Sequence, residues 1–232
     1  MNSAVNWTSL FLLVWALPAA RADESSRLPD VAALQAAMHK AIERAEPSIA
    51  CILVTRAEGG RGFKPEDPTF IPELYGSGVV IDETGLVLTN EHVVRGSTNR
   101  YVRLPGERGY WASILAADQR SDLAVLKLDA SGARFKAISL GQGEKLRKGQ
   151  FVLSLANPFA AGFRDGSPSA SWGIVSNLRR RAPLIEIKEE EQSIKPLSQF
   201  ATLIQTDARL NLGSAGQYVQ VRDRCFANRS VD

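Results

Sequence analysis

Two textures of apolar spacing follow one another along the chain. In PDVAALQAAMHKAIERAEPSI, apolar residues recur at Val31, Leu34, Met38, Ala41, Ile42 and Ala45, the three-and-four spacing of an amphipathic helix. Asp30 stands where an N-cap would open it, and Pro47, which has no amide hydrogen, closes it. His39 falls on or beside the apolar stripe and reads as a packing or surface residue. From Ser48 onward the texture changes to short β-type runs separated by turn residues, in SIACILV, GSGVVID, LVLTN, RYVRL, YWASILAA, LAVLKLD, FVLSLA, SWGIVSNL, LIEIK and ATLIQT. Short strands divided by turn residues predict an antiparallel sandwich or barrel rather than βαβ units. DETG at 82–85 reads as a hairpin turn, and the Gly/Pro-rich AEGGRGFKPEDPTFIPELYG and NPFAAGFRDGSPSA read as long surface loops.

Composition narrows the setting. The 232 residues, 44% hydrophobic and 23% charged, suit one large domain or two small ones. An apolar run from Trp7 to Leu17, then Pro18 and the small residues up to Ala22, form a secretory signal pattern without Lys or Arg ahead of the run. Cleavage near Ala22 is expected, with an uncleaved anchor as the alternative; the run is short for a bilayer span. No later stretch is apolar enough for a transmembrane helix, so the expected location is secreted or periplasmic, without a stable membrane span after cleavage. The net charge of +3 becomes +2 without Arg21, too small a balance to argue for nucleic acid. Cys51, Cys225, His39 and His92 fit no metal spacing, so neither a metal nor a cofactor is expected. The compartment permits a disulfide, but Cys51 lies in an apolar run and reads as a small buried residue. Arg179, Arg180 and Arg181, and the charged stretch 188–195, read as solvated loop faces. Asn6 and Asn228 match the glycosylation pattern, Asn6 within the presumed signal. GSG at 76–78 has no following lysine or helix and does not support a phosphate loop.

Candidate chemistry centres on a single imidazole. Acyl transfer by a serine triad needs a histidine to take the proton, a carboxylate to fix the histidine tautomer, and backbone N–H donors where the oxyanion develops. His92, in VLTNEHVV, follows an apolar strand at the entry to a loop, and Asp122, in RSDLAVLKLD, immediately precedes another strand. Neither position is diagnostic alone.

In series, GSGVVIDETGLVLTNEHVV, SDLAVLKLD, GQFVLSLANPF, GIVSNL and IQTDARLNLGSAG resemble the protease domain of the HtrA/Deg family of trypsin-like serine proteases, from about Ala45 to Gly216. The resemblance implies an all-β fold of two packed antiparallel six-stranded β-barrels with one helix ahead of them. It implies His92 as general base, Asp122 as its orienting partner, unfolded or extended polypeptides as substrates, and a homo-oligomer, a trimer in the family. The domain boundaries that follow are a signal at 1–22, a helical segment at 23–47, the protease domain at 48–216 and a divergent tail at 217–232. In the family the nucleophile lies in Asn-Pro-Gly-Asn-Ser-Gly-Gly; this chain reads Asn211-Leu212-Gly213-Ser214-Ala215-Gly216-Gln217, with Ala215 at the serine position. The backbone amides of Gly213 and Ala215 can still form an oxyanion hole, but without Oγ there is no acyl-enzyme. Ser214 is the adjacent alternative; in the family register its side chain faces away from His92. After Gly216, Tyr218, Val219 and Val221 can make one short strand, RDRCFANRS has no alternation for another, and the second barrel is expected to be incomplete. Arg209 and Leu210 lie where the family shapes its specificity pocket, without implying a preference. Four readings stay open: a protease domain that has lost cleavage, a non-cleaving peptide-binding or regulatory module, residual hydrolysis through Ser214, and a truncated gene product.

Overall fold

The uninterrupted apolar stretch Ile49 to Val54 is the first strand of a barrel and is covered on both sides, which is why it does not alternate. In the computed structural model, which describes residues 29–56, 62–72, 74–106, 109–141, 145–180, 203–209, 218–221 and 224–227, strand β1 (Ile49–Thr55) turns Ala50, Ile52 and Val54 into the barrel interior. Its other face packs Cys51 and Leu53 with Tyr101 and Ala160, and Ile49 with Val79 and Leu155. Strands β2 (Leu74–Asp82), β3 (Leu86–Thr89), β4 (Asn99–Arg103), β5 (Tyr110–Asp118) and β6 (Leu123–Leu128) complete a closed antiparallel barrel in the order β1-β2-β3-β6-β5-β4. Closure leaves no edge strand to cover. Inside lie Val80, Val87, Val102, Leu104, Leu126, Leu128 and Phe135.

The β2–β3 connection is the expected turn at 82–85. Asp82 Oδ1 accepts Thr84 N at 2.7 Å and Thr84 Oγ1 at 2.5 Å. Gly85 takes φ +89, and a Cβ there would lie 2.8 Å from the Phe135 ring, so both backbone and packing require glycine.

Strands β7 (Phe151–Ala156), β8 (Ser169–Arg180), β9 (Leu203–Thr206), β10 (Tyr218–Val221) and β11 (Arg224–Ala227) form a second antiparallel sheet in the order β11-β10-β7-β8-β9. Thus the described residues comprise one closed six-stranded barrel and one five-stranded sheet. Strand β11 corrects the sequence reading, which assigned no strand to RDRCFANRS. It pairs with β10 from Tyr218↔Ala227 to Val221↔Arg224, and ladder hydrogen bonds form whatever the side-chain pattern. The loop reading of NPFAAGFRDGSPSA is also revised, because Pro158–Phe163 is a kinked 3-10 stretch with Phe159 and Ala160 at φ 52 and 54. The LIEIK segment, including Leu184, lies outside the described residues.

By its contacts the chain divides into Met1–Ala36 and Ala37–Asp232, and helix α1 (Pro29–Ala45) begins in the first and ends in the second. In the first, Val31 and Leu34 are exposed at 53% and 38%; the sequence stripe is not a buried face there. In the second, Ile42 and Ala45 pack with Ile49, Val79 and Leu155, while His39 is exposed. Pro47 ends the helix as expected, in a short 3-10 turn, Glu46–Ser48. Among the described residues no helix is long and apolar enough to cross a membrane.

Candidate functional site

At the end of β3 the chain enters helix α2 (Glu91–Val94), a single turn that the sequence reading took for the start of a loop. Two of its side chains anchor it, since Val93 and Val94 are buried at 6% and 1%. Val93 fits only because residue 76 has no side chain; a Cβ on Gly76 would lie 2.6 Å from Val93 Cγ1. The GSG stretch is therefore partly a packing requirement for this turn. Arg56 holds the turn from the carbonyl side, its Nε donating to Arg95 O at 2.9 Å and its Nη2 to His92 O at 3.2 Å. Arg95 in turn grips the buried Glu91 carboxylate, with Nη2 2.6 Å from Oε2. With both valines turned inward, the His92 side chain keeps 30% of its surface exposed.

Asp122 meets it from the other side of the β3–β6 pair. It sits one residue ahead of β6 at φ 56 and is 4% exposed; Asp is among the few non-glycine residues that tolerate this left-handed conformation. His92 Nδ1 lies 3.0 Å from Asp122 Oδ1 and 2.9 Å from Oδ2. The His92 amide donates to Oδ1 at 3.0 Å, and Glu91 N donates to the Asp122 carbonyl at 3.1 Å. A carboxylate only accepts, so the neutral ring carries its proton on Nδ1 and Nε2 is the basic nitrogen. The structure therefore joins two residues thirty positions apart into a proton-accepting imidazole with a fixed tautomer. It also adds a residue that the sequence reading missed: Asn90, 2% exposed, donates from Nδ2 to the Asp122 carbonyl and to Oδ2. An asparagine between a strand and a helix reads as a cap, and nothing local shows that its partner is Asp122.

Leu210, Gly213, Ser214, Ala215 and Gly216 lie outside the described residues, so the nucleophile position and the oxyanion amides have no described geometry. The approach to them is described. Asp207 Oδ1 accepts Ile174 N at 2.6 Å, Ser171 Oγ donates to the Arg209 carbonyl at 3.0 Å, and Ala208 is buried against Val152 and Val175. Cys51 is a free, buried thiol that burial pushes up to about 12, far from thiolate chemistry at neutral pH. Among the described residues no His, Cys, Asp and Glu side chains gather in a group of three able to hold a metal ion. A cleft of about 920 Å³ opens beside Trp111, Arg100 and Lys127 and includes neither His92 nor Asp122.

A family model described as a trypsin-like peptidase domain matches residues 76–216. Serine protease HTRA1 of Xenopus laevis is 34% identical over 150 residues, which cover 63% of this chain and 28% of that protein. A probable periplasmic serine endoprotease, DegP-like, of Hahella chejuensis is 30% identical over 230 residues, covering 88% of this chain and 43% of that protein. The chain thus spans less than half the length of either relative. Among solved structures, the HtrA-type protease AlgW with a decapeptide has a TM-score of 0.61 at 25% identity and covers 84% of this chain and 59% of that one. The same protease with a tripeptide has a TM-score of 0.60 at 27% identity, covering 80% and 50%.

Proposed function

This chain belongs to the trypsin-like peptidase domain family, with HtrA/Deg proteases among its relatives, and from that premise we propose that it is a serine endopeptidase domain that no longer cleaves. The observation that carries the reading is the His92–Asp122 contact at 2.9 Å in a chain whose serine position is occupied by Ala215. His92 is the inherited general base and Asp122 its orienting partner. Gly213 and Ala215 are assigned the oxyanion amides. A ring with no hydroxyl to deprotonate starts no acyl transfer.

Extended polypeptides are the ligands this reading assigns to the domain, supported by the tripeptide and decapeptide in the HtrA-type neighbours. The domain itself is assigned to 48–216. A periplasmic or secreted location is supported by the periplasmic names of several relatives. The reading extends to a homo-oligomer on the family resemblance alone.

A fluorophosphonate probe tests the central claim, because it labels only a serine Oγ activated by a base. The chain is expected to stay unlabelled, and Ala215→Ser is expected to gain slow labelling that a further His92→Ala change abolishes. Leu212, Ser214 and Gln217 still depart from the family pattern, so a family-like rate is not expected. Labelling of the unaltered chain that disappears in Ser214→Ala would instead establish Ser214 as the nucleophile.

A further inference from the structure

We infer that Asn90 is a positioning residue for the His92–Asp122 pair, the side chain that holds the carboxylate in the rotation at which it faces His92 Nδ1. The inference rests on reading those two residues as an inherited acid–base pair. Asn90 has extended backbone, φ −80 and ψ 145, and its side chain makes no capping bond to α2. Its amide is directed at Asp122 instead, with Nδ2 donating to the carbonyl at 3.0 Å and to Oδ2 at 3.2 Å.

The two contacts restrain different freedoms. The carbonyl bond, with that of Glu91 N at 3.1 Å, ties down a backbone held at φ 56, where a residue with a Cβ is intrinsically disfavoured. The Oδ2 bond opposes the bond from the His92 amide to Oδ1 at 3.0 Å. With a donor on each oxygen, the carboxylate cannot turn about its Cβ–Cγ bond without losing both. Remove Asn90, and Oδ2 loses its amide donor inside a pocket where Asp122 is 4% exposed and water is a poor substitute. Asparagine suits the task because one neutral nitrogen carries two protons and reaches two oxygens. A cation in its place would compete with His92 for the carboxylate, and serine offers one proton on a shorter arm.

The chain has two histidines, His39 and His92, so a sample labelled with ¹⁵N-histidine gives two ring systems, and the exposed His39 serves as the reference. In the unaltered chain His92 is expected as the Nδ1–H tautomer with a low-field Nδ1 proton. Asn90→Ala is expected to raise the His92 ratio of Nε2–H to Nδ1–H roughly 3- to 10-fold, the change that one hydrogen bond of ordinary net strength produces, with His39 unmoved. Asn90→Leu, which keeps the branched shape and has no donor, gives the same comparison if the alanine chain does not fold. Thr89→Val is the structural control: Thr89 is 1% exposed and donates to Ser77 O at 2.7 Å, so its loss disturbs the neighbouring core without touching Asp122. A ratio unchanged in both Asn90 variants, or changed equally by Thr89→Val, overturns the positioning role. A His92 ring without a hydrogen-bonded Nδ1 proton in the unaltered chain overturns instead the acid–base reading beneath it.

Discussion

Asp82 illustrates how a single half-buried side chain organises a turn. Its carboxylate accepts the Thr84 hydroxyl and the Thr84 amide, and these bonds, the hydroxyl first, with Lys127 adding a favourable charge, hold its carboxyl below the usual range. Asp67 with Thr69, and Asp118 with Ser121 and Arg120, repeat the arrangement. A carboxyl depressed by folding adds stability that is present above its unfolded pKa and lost as the pH falls through its folded one. Thr84→Val should therefore move the Asp82 carboxyl upward, toward the unperturbed value of 3.8, but only partly, since the amide bond and Lys127 remain. A carboxylate titration followed by NMR would show it; a value that does not rise would mean the hydroxyl bond is not made in solution. Such motifs are legible in sequence because both partners lie within three residues. Asn90 is not, because its partner lies 32 residues away and its residue type fits a helix cap equally well.

At the scale of elements, the same distinction separates what the sequence reading found from what it missed. The ten short β-type runs divided by turn residues predict strands, and those within the described residues are strands. Helix α2 has only Glu91 to Val94, too few residues to display a helical period, and strand β11 exists through its pairing with β10 rather than through its own pattern. In α1 the helical spacing matches the helix, yet Val31 and Leu34 are exposed, since spacing fixes a face and not what covers it. His92 and Asp122 were found through the order of several motifs; their contact depends on the β3–β6 pairing, in which Thr89 faces Ala124. The close approach of Gly76 to Val93 makes α2 testable as a unit. Gly76→Ala should cost about 1–3 kcal/mol, the usual penalty for overpacking, measured by urea unfolding. Val93→Ala should remove most of that cost by clearing the space, so a penalty of equal size in both backgrounds would show that the two residues do not press on each other.

Across the whole barrel-and-sheet assembly, Asn157 joins parts of the chain far apart in sequence. It is fully buried beyond the end of β7 and connects the second sheet to the first barrel through its own amide, which donates to Ser77 Oγ at 2.8 Å, and through Nδ2, which donates to Ala50 O at 3.0 Å. Its Oδ1 has no hydrogen-bond partner among the described residues, so the side chain brings one satisfied and one unsatisfied polar group into the interior. The balance predicts unequal effects for two substitutions. Asn157→Ala removes the bond to Ala50 O but also the unpartnered oxygen, and the backbone bond to Ser77 survives; the net loss should lie near the lower end of about 1–3 kcal/mol. Asn157→Asp keeps the volume, replaces the donor with a second oxygen facing the Ala50 carbonyl, and asks for either a buried charge or a carboxyl protonated at neutral pH. It should therefore destabilise the chain by more than the alanine variant at pH 7, with the gap narrowing as the pH falls and the carboxyl takes up a proton that can be donated to Ala50 O. Urea unfolding of both variants at two pH values decides it. An aspartate variant as stable as the alanine one at pH 7 would mean that the space around Asn157 opens to water and that this residue does not join the two sheets through a dry contact.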